Sequence, residues 1–177
     1  MKNIFVFFTV IIMIFSCKTE INNNFEDSRA PGFVRDAEGN QTNAYDANPS
    51  NLDLWDEYIN AHNDRDFESI INMNADSTKQ FGSFKIYAPN GTVLNGTDEQ
   101  IDFLKGWFEN ENPKWNTYFS YTNRVEGQPG EWVITGSQVK KNVGGEEVVA
   151  WDIADVYIED GKIGAFWVWT RADASQD

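Results

Sequence analysis

Cysteine, histidine and positive charge are all scarce in this sequence. Its 177 residues include one Cys and one His, which excludes a disulfide framework and argues against a Cys/His zinc site. Basic residues number 14 against 28 acidic ones, giving a formal net charge of −14. Because a nucleic-acid-binding protein needs a basic surface, that class of function is excluded. Hydrophobic residues make up 41% of the chain, so it can build a packed core, and its length suits a single domain.

Familiar catalytic and cofactor-binding patterns are also missing from the sequence. It contains no glycine-rich phosphate loop, no Ser/His/Asp nucleophile motif and no EF-hand loop. Its many carboxylates show no spacing typical of a Ca²⁺ site. We therefore predict that the protein uses neither a metal nor a cofactor.

The one long apolar run lies at the N-terminus, where residues 4–15 contain a single polar residue, Thr9. The run is shorter than the ~20 residues that a membrane-spanning helix needs, and it has the length of a signal-peptide core. It ends in Ile-Phe-Ser-Cys at 14–17, which resembles the lipobox of bacterial lipoproteins. The resemblance implies that residues 1–16 are a signal peptide and that Cys17 carries acyl chains, which hold the protein to a membrane of the bacterial cell envelope on its periplasmic or cell-surface side. An ordinary secretion signal with a chance Cys is the alternative.

The segment after the cysteine shows neither a strand-like nor a helix-like hydrophobic period. We predict that residues 17–49 comprise the lipidated Cys and a flexible tether. Isolated apolar residues such as Phe33 and Tyr45 could dock on the domain that follows. That domain is predicted over residues 50–173.

Three helices are predicted in the first half of the domain. Ser50 and Asp53 match a helix start and open an apolar stripe. The members of that stripe would share one helix face: Leu54, Trp55, Tyr58, Ile59 and His62. Asp66 can cap a short second helix, and the capping-box pattern at 97–100 opens a third.

The remaining elements are predicted to be strands. A short hairpin with its turn at 89–91 precedes the third helix. Four long strands follow that helix: 118–125, 132–143, 147–158 and 163–171. Short glycine-containing turns make consecutive strands antiparallel neighbours. Helices grouped apart from antiparallel strands predict an α+β fold.

This order of elements resembles the nuclear transport factor 2-like superfamily, which includes SnoaL-like polyketide cyclases and ketosteroid isomerases. Two segments carry the resemblance: Trp55 to Phe67, with aromatic residues and then Asn and Asp before the second helix, and Asp152 to Ile163, a strand that ends in Asp-Gly-Lys-Ile. The resemblance implies a cone, in which a strongly curved antiparallel sheet packs against three N-terminal helices as a cystatin-like α+β barrel. It also implies a pocket inside the cone.

The ketosteroid isomerase branch allows a comparison residue by residue. The resemblance implies that Tyr58 matches a Tyr that holds the oxyanion, and that Asp155 matches a protonated Asp that donates to the same oxygen. The proton-abstracting Asp of that branch falls on Gly82, which cannot accept a proton. Two hydrogen-bond donors are therefore retained without the base, which argues against steroid isomerisation.

The surroundings of Asp155 give an independent interpretation. Its alternation neighbours are Val149, Trp151, Ile153 and Tyr157. A carboxyl group among them would be desolvated, which raises its pKa, and beside Tyr58 it would form the dry end of an apolar pocket. Asp152 has the opposite parity, so we place it on the convex face. His62, the only side chain that titrates near neutral pH, is a third catalytic candidate. The alternatives are that Asp155 faces outward and that Tyr58 and His62 simply pack in the core.

Alternation along the last strands predicts a pocket wall and an outer face. The residues expected to line the pocket are Trp151, Ile153, Tyr157, Phe166 and Val168, with Trp107 at its mouth. Trp167 and Trp169 then point to the convex face, and a large apolar surface usually marks an interface. Since the superfamily often dimerises through this face, we expect a homodimer. A docked tether and a carbohydrate-binding platform are the alternatives.

Three functions are open at this point. The first is a lipid-anchored protein whose cone binds a small apolar or aromatic ligand. The second is a cofactor-free acid/base enzyme of the isomerase, cyclase or dehydratase type, acting on a carbonyl compound through Asp155, Tyr58 and His62. The third is a dimeric scaffold or interaction protein whose cone is filled by its own side chains. Fold alone does not choose among them.

Overall fold

The computed structural model describes residues 30–172. The predicted signal peptide and Cys17 lie outside the described residues. Within residues 30–172, no helix is both long enough and apolar enough to cross a membrane.

The helices form where the apolar spacing predicts them. They are α1 (Ser50–Asp64), α2 (Phe67–Met73) and α3 (Thr97–Glu111). Each buries one face: α1 buries Trp55 and Tyr58, and α3 buries Ile101, Leu104 and Phe108. The polar faces remain at the surface.

The helix starts differ in part from the prediction. Pro49 rather than Ser50 takes the N-cap position of α1, and Gly96 rather than Thr97 takes that of α3; neither cap is closed by a side chain. Asp66 caps α2 as predicted, since its carboxylate accepts a hydrogen bond from the backbone N–H three residues later at 3.1 Å.

The described strands form one sheet. They are β1 (Gly32–Arg35), β2 (Gln41–Tyr45), β3 (Lys85–Tyr87), β4 (Val93–Asn95), β5 (Lys114–Val125), β6 (Glu131–Val143), β7 (Glu146–Glu159) and β8 (Lys162–Ala172). Their order is β1-β2-β5-β6-β7-β8-β3-β4. The predicted α+β class, with a curved sheet against three helices, is confirmed. The sheet is mixed rather than wholly antiparallel, because β3 pairs with β8 in parallel.

Part of the predicted tether belongs to the sheet. β1 and β2 form a hairpin, in which the Asp36 carboxylate accepts a hydrogen bond from the backbone N–H of Asn40 at 2.8 Å. β2 then pairs with β5, so that Ala44 lies opposite Val125. The prediction of a tether over 17–49 is corrected accordingly. Two strands of four and five residues are too short to show a hydrophobic period in the sequence.

A β-bulge in the β7–β8 hairpin decides which face each side chain takes. Next to the turn, Ile158 lies opposite Ile163. If this register continued, Asp155 would lie opposite Phe166. The register instead shifts just beyond Ile158, and Asp155 lies opposite Trp167. A shift of one residue exchanges the two faces of a strand relative to its neighbour.

The structure therefore reverses the predicted orientation of β7. Ala150, Asp152 and Ala154 face the concave side, towards the helices. The alternate residues Trp151, Ile153, Asp155 and Tyr157 lie on the convex side. Phe166 and Val168 of β8 face the concave side, as predicted.

Two glycines give opposite expectations for stability. A Cβ added at Gly130 would lie 2.5 Å from the backbone oxygen of Ile158 and from the ring of Tyr157. Because a backbone carbonyl cannot easily move aside, we expect Gly130→Ala to lower the free energy of unfolding by about 1–3 kcal/mol. At Gly106, within α3, an added Cβ meets nothing within 4 Å, so Gly106→Ala should raise that free energy by about 0.5–1 kcal/mol. Urea unfolding of both variants measures the difference, and equal stability of the two would contradict the packing at Gly130.

Candidate functional site

A cavity of about 500 Å³ lies between the concave face of the sheet and helices α1 and α3. Apolar side chains from both sides supply much of its wall, among them Ile59, Ile86, Leu104, Val139, Phe166 and Val168. The residues after β3 and at the end of β8 border its open end. The cone is therefore hollow, with room for a small molecule.

At its buried side the cavity meets a chain of neutral polar groups. The Tyr58 hydroxyl accepts a hydrogen bond from Gln100 Nε2 at 2.6 Å, and Gln100 Oε1 accepts one from Asn74 Nδ2 at 2.7 Å. Tyr58 and Gln100 are both buried. Burial raises the pKa of Tyr58 above its ordinary value, so the hydroxyl stays protonated. Its own proton remains available to an acceptor in the cavity.

His62 lies one turn further along α1 and also lines the cavity. Its Nδ1 lies 2.7 Å from the backbone oxygen of Tyr58, so Nδ1 carries the proton and donates. Burial lowers the pKa of His62 to about 4, because the charged ring would lose its solvation. Near neutral pH the ring is neutral, and its Nε2 can only accept.

Trp55 completes this end of the cavity. Its ring stacks on Tyr58 with 5.4 Å between centroids. Its indole Nε1 is buried without a hydrogen-bond partner among the described residues. An unpaired buried donor costs free energy.

The open end of the cavity, by contrast, is charged. Lys141 Nζ donates to Glu111 Oε2 at 2.6 Å, and Trp107 Nε1 donates to the same oxygen at 2.9 Å. These two hydrogen bonds hold the pKa of Glu111 below its ordinary value, and the hydrogen bond from Lys141 has the larger effect. Thr170 Oγ1 donates to Asp152 Oδ1 at 2.6 Å.

Asp152 has an environment unlike that of Glu111. Partial burial raises the pKa of Asp152, and the hydrogen bond from Thr170 and the charge of Lys141 oppose that rise only in part. We call Trp107, Glu111, Lys141, Asp152 and Thr170 the rim cluster. It joins the end of α3 to strands β6, β7 and β8.

The structure brings together some of the predicted site residues. Tyr58, His62, Trp107, Phe166 and Val168 all line the cavity, as predicted. Any catalytic or binding role for them stays a prediction.

The other predicted site residues lie across the sheet from the cavity. Trp151, Ile153, Asp155 and Tyr157 are on the convex side, and the Tyr157 hydroxyl donates to Glu159 Oε2 at 2.7 Å. Asp155 and Tyr58 therefore do not converge. Partial burial does raise the pKa of Asp155, but outside the cone. The physical reason for their outward position is the bulge in the β7–β8 hairpin. Counting alternate residues from the turn does not reveal it.

Sequence reasoning missed several of the polar residues that line the cavity. Gln100 matched a capping box, yet its side chain bonds Tyr58 instead of the helix start. Asp152 was placed outside. Lys141 and Glu111 come together only in the fold, since 30 residues separate them. With the correct register of β7 and β8, alternation along the strands would have placed Thr170 and Asp152 side by side on the concave face. That is the one signal in the sequence that could have indicated these polar residues.

Within residues 30–172, no group of three or more His, Cys, Asp and Glu side chains is arranged to hold a metal ion. The cavity can offer apolar contact, neutral hydrogen-bond donors at its buried side and carboxylates at its open end. Those are the chemical resources of the site.

Sequence comparison gives no relative for this chain. No family model matches it, and no curated protein matches it.

Solved structures do match the fold. The LEH-like epoxide hydrolase of M. tuberculosis superposes with a TM-score of 0.55 and 13% identity, over 68% of this chain and 81% of that one. A protein from Jannaschia, assigned as a SnoaL-like polyketide cyclase, gives 0.55 and 14% over 71% and 90%. IdmH of Streptomyces antibioticus, assigned as a polyketide cyclase, gives 0.53 and 14% over 67% and 90%. Identities this low show the fold alone: the domain has the SnoaL-like, nuclear transport factor 2-like cone.

The buried histidine predicts a specific pH dependence. The unfolded chain binds a proton at His62 near pH 6.5, whereas the folded chain does so only near 4. Unfolding is therefore favoured progressively as the pH falls from about 6.5 to about 4, by on the order of 3 kcal/mol, and the effect is absent above that window. Since this is the only histidine, proton NMR can follow its ring directly and should give a midpoint near 4.

The control is His62→Gln, which can keep the bond to the Tyr58 carbonyl but does not titrate. Its stability should fall less steeply over the same pH range. Parallel pH profiles of the two proteins, or a ring midpoint near 6.5, would contradict the buried neutral state.

Proposed function

We propose that this protein is a lipid-anchored binding protein of the bacterial cell envelope, whose cone takes a small, largely apolar molecule. The observation that carries the proposal is the open cavity of about 500 Å³, with apolar walls and buried donors at one side. Pockets for small molecules commonly have this size and this mixture of surfaces.

The buried side of the cavity suggests what the ligand presents there. Tyr58 has a hydroxyl proton to donate, and Trp55 Nε1 has no acceptor among the described residues. A ligand oxygen such as a carbonyl would accept from the Tyr58 hydroxyl, and apolar surface on the rest of the molecule would match Phe166 and Val168.

The two other functions have less support. An acid/base enzyme was expected to use Asp155, which lies on the far side of the sheet from Tyr58. A scaffold with a filled cone was expected to fill it with large side chains, among them Trp151, which also lies outside. Each alternative therefore loses one of the residues on which it depended.

Filling the cavity should weaken ligand binding. In Val168→Trp the larger side chain enters the cavity from β8, and we expect the Kd of an apolar probe such as naphthylmethanol to rise at least about tenfold. Isothermal titration calorimetry measures the Kd. Arg171→Trp is the matched control, since it adds the same side chain to the same strand on the convex face; it should bind like the wild type. Equal weakening by both variants would count against the cavity as the site.

The membrane anchor is a second part of the proposal, and it is supported by the resemblance of residues 14–17 to a lipobox. In a bacterial host that lipidates its own lipoproteins, the wild type should enter the membrane fraction and incorporate labelled palmitate, because acyl chains on Cys17 would partition into the bilayer. Cys17→Ser should do neither, whereas Ser16→Ala, which keeps a small residue before the cysteine, should behave as the wild type. Retention of Cys17→Ser in the membrane fraction would contradict the proposed lipid anchor.

A homodimer through the convex face is the third part. Phe119, Tyr121, Ile153 and Trp169 expose about half of their surface there, and apolar patches of this kind usually mark an interface. We expect light scattering to give twice the monomer mass for residues 18–177. Trp169→Lys should restore the monomer by placing a charge in the interface, while Val93→Lys, an exposed apolar site on the edge strand β4, should leave the dimer intact. A monomeric wild type would refute this arrangement.

A further inference from the structure

The geometry of the rim cluster points to a subsite for a protonated amine: we propose that Glu111, Asp152 and Trp107 bind an ammonium group on the outer end of the ligand. This inference rests on the proposed function, because it assumes that a ligand occupies the cavity. It adds the charge and the orientation of that ligand.

The charges of the cavity are unbalanced. Three of the described residues that line it carry a formal charge: Glu111, Lys141 and Asp152. One ammonium group faces two carboxylates, which leaves a formal excess of one negative charge. The chain as a whole carries −14, so its long-range field also disfavours an anionic ligand.

The carboxylates are held in place, and each has an oxygen to spare. Lys141 and Trp107 both donate to Oε2 of Glu111, and Thr170 donates to Oδ1 of Asp152. Among the described residues, no hydrogen bond reaches Oε1 of Glu111 or Oδ2 of Asp152. Carboxylate oxygens accept only, so the group that meets them must be a donor.

An ammonium group suits this position better than a hydroxyl group does. Asp152 is partly desolvated, and a cation compensates a desolvated carboxylate more fully than a neutral donor does. The indole rings of Trp107 and Trp115 meet edge to face, 5.3 Å apart and at 81°, and their faces attract cations. Lys141 Nζ already lies over Trp107, 5.9 Å from its ring centre.

The two ends of the cavity then specify one orientation. The buried Tyr58 hydroxyl would donate to an acceptor of the ligand, and the rim cluster would bind its ammonium group. The apolar walls cover what lies between. The class of ligand is an apolar amine that carries a hydrogen-bond acceptor at the far end.

Three probes with one apolar body test the charge preference: naphthylmethylamine, naphthylmethanol and naphthoate. They present an ammonium, a hydroxyl and a carboxylate group on the same naphthalene rings. We expect the amine to bind the wild-type protein about tenfold more tightly than the alcohol, and the carboxylate to bind more weakly than either. Equal Kd values for amine and alcohol, or tightest binding of the carboxylate, would overturn the proposal.

Two matched variants locate the effect. Asp152→Asn should remove most of the preference for the amine, because it should weaken binding of the amine far more than binding of the alcohol. Asp155→Asn makes the same change on the same strand, but on the convex face, and should keep the full preference. Loss of preference in both, or in neither, contradicts a role for the rim cluster.

Lys141→Met separates this proposal from its opposite, in which Lys141 binds an anionic ligand. Removing the lysine increases the negative excess, so the amine should bind more tightly and the carboxylate no better. Weaker binding of the amine by this variant, or a selective loss of carboxylate binding, would identify Lys141 as an anion receptor. The alcohol probe keeps the two proposals apart: if it fails to bind the wild type, the cavity itself is not a site, whereas if it binds as tightly as the amine, only the amine subsite is wrong.

Discussion

One extra residue in the β7–β8 hairpin determines what the pocket contains. The bulge beside Ile158 moves the register by one position, so that Asp152 and Thr170 meet on the concave face and Asp155 is turned outward. Faces alternate along a strand, and a single bulge therefore reassigns every side chain beyond it. The packing of Gly164 fits this account, since a Cβ at that position would lie 2.4 Å from the Thr78 side chain.

The pocket separates neutral from charged polar groups according to depth. Where water is excluded, Tyr58, Gln100 and His62 are all uncharged and hydrogen-bonded. The charges of Glu111 and Lys141 appear only where solvent still reaches them. This division follows from the cost of burying an ionised group, which exceeds the cost of burying a satisfied neutral one. It lets a single cavity offer two different kinds of contact.

Local patterns in the sequence predict most of the fold. The apolar stripe of α1 places Tyr58 and His62 in the core, and glycine turns delimit the four long strands. What the sequence does not predict depends on contacts between distant segments. The β1–β2 hairpin gains its stability from β5, about 80 residues later. Gly164, beside the bulge, packs against Thr78, and the pair Lys141–Glu111 forms where α3 crosses β6. The face that a side chain takes can be predicted by counting residues from a turn only while the pairing of the two strands is regular.

If Cys17 carries the proposed lipid, the β1–β2 hairpin also limits how far the domain could move from the bilayer. With a tether running to residue 49, a lipid on Cys17 would leave 32 residues of slack, or at full extension about 110 Å. Because the sheet already begins at residue 32, only about 15 residues would separate such a lipid from the first strand, a reach of at most roughly 50 Å. If the proposed lipid is present, a domain held this close to the membrane would meet apolar molecules as they leave the bilayer.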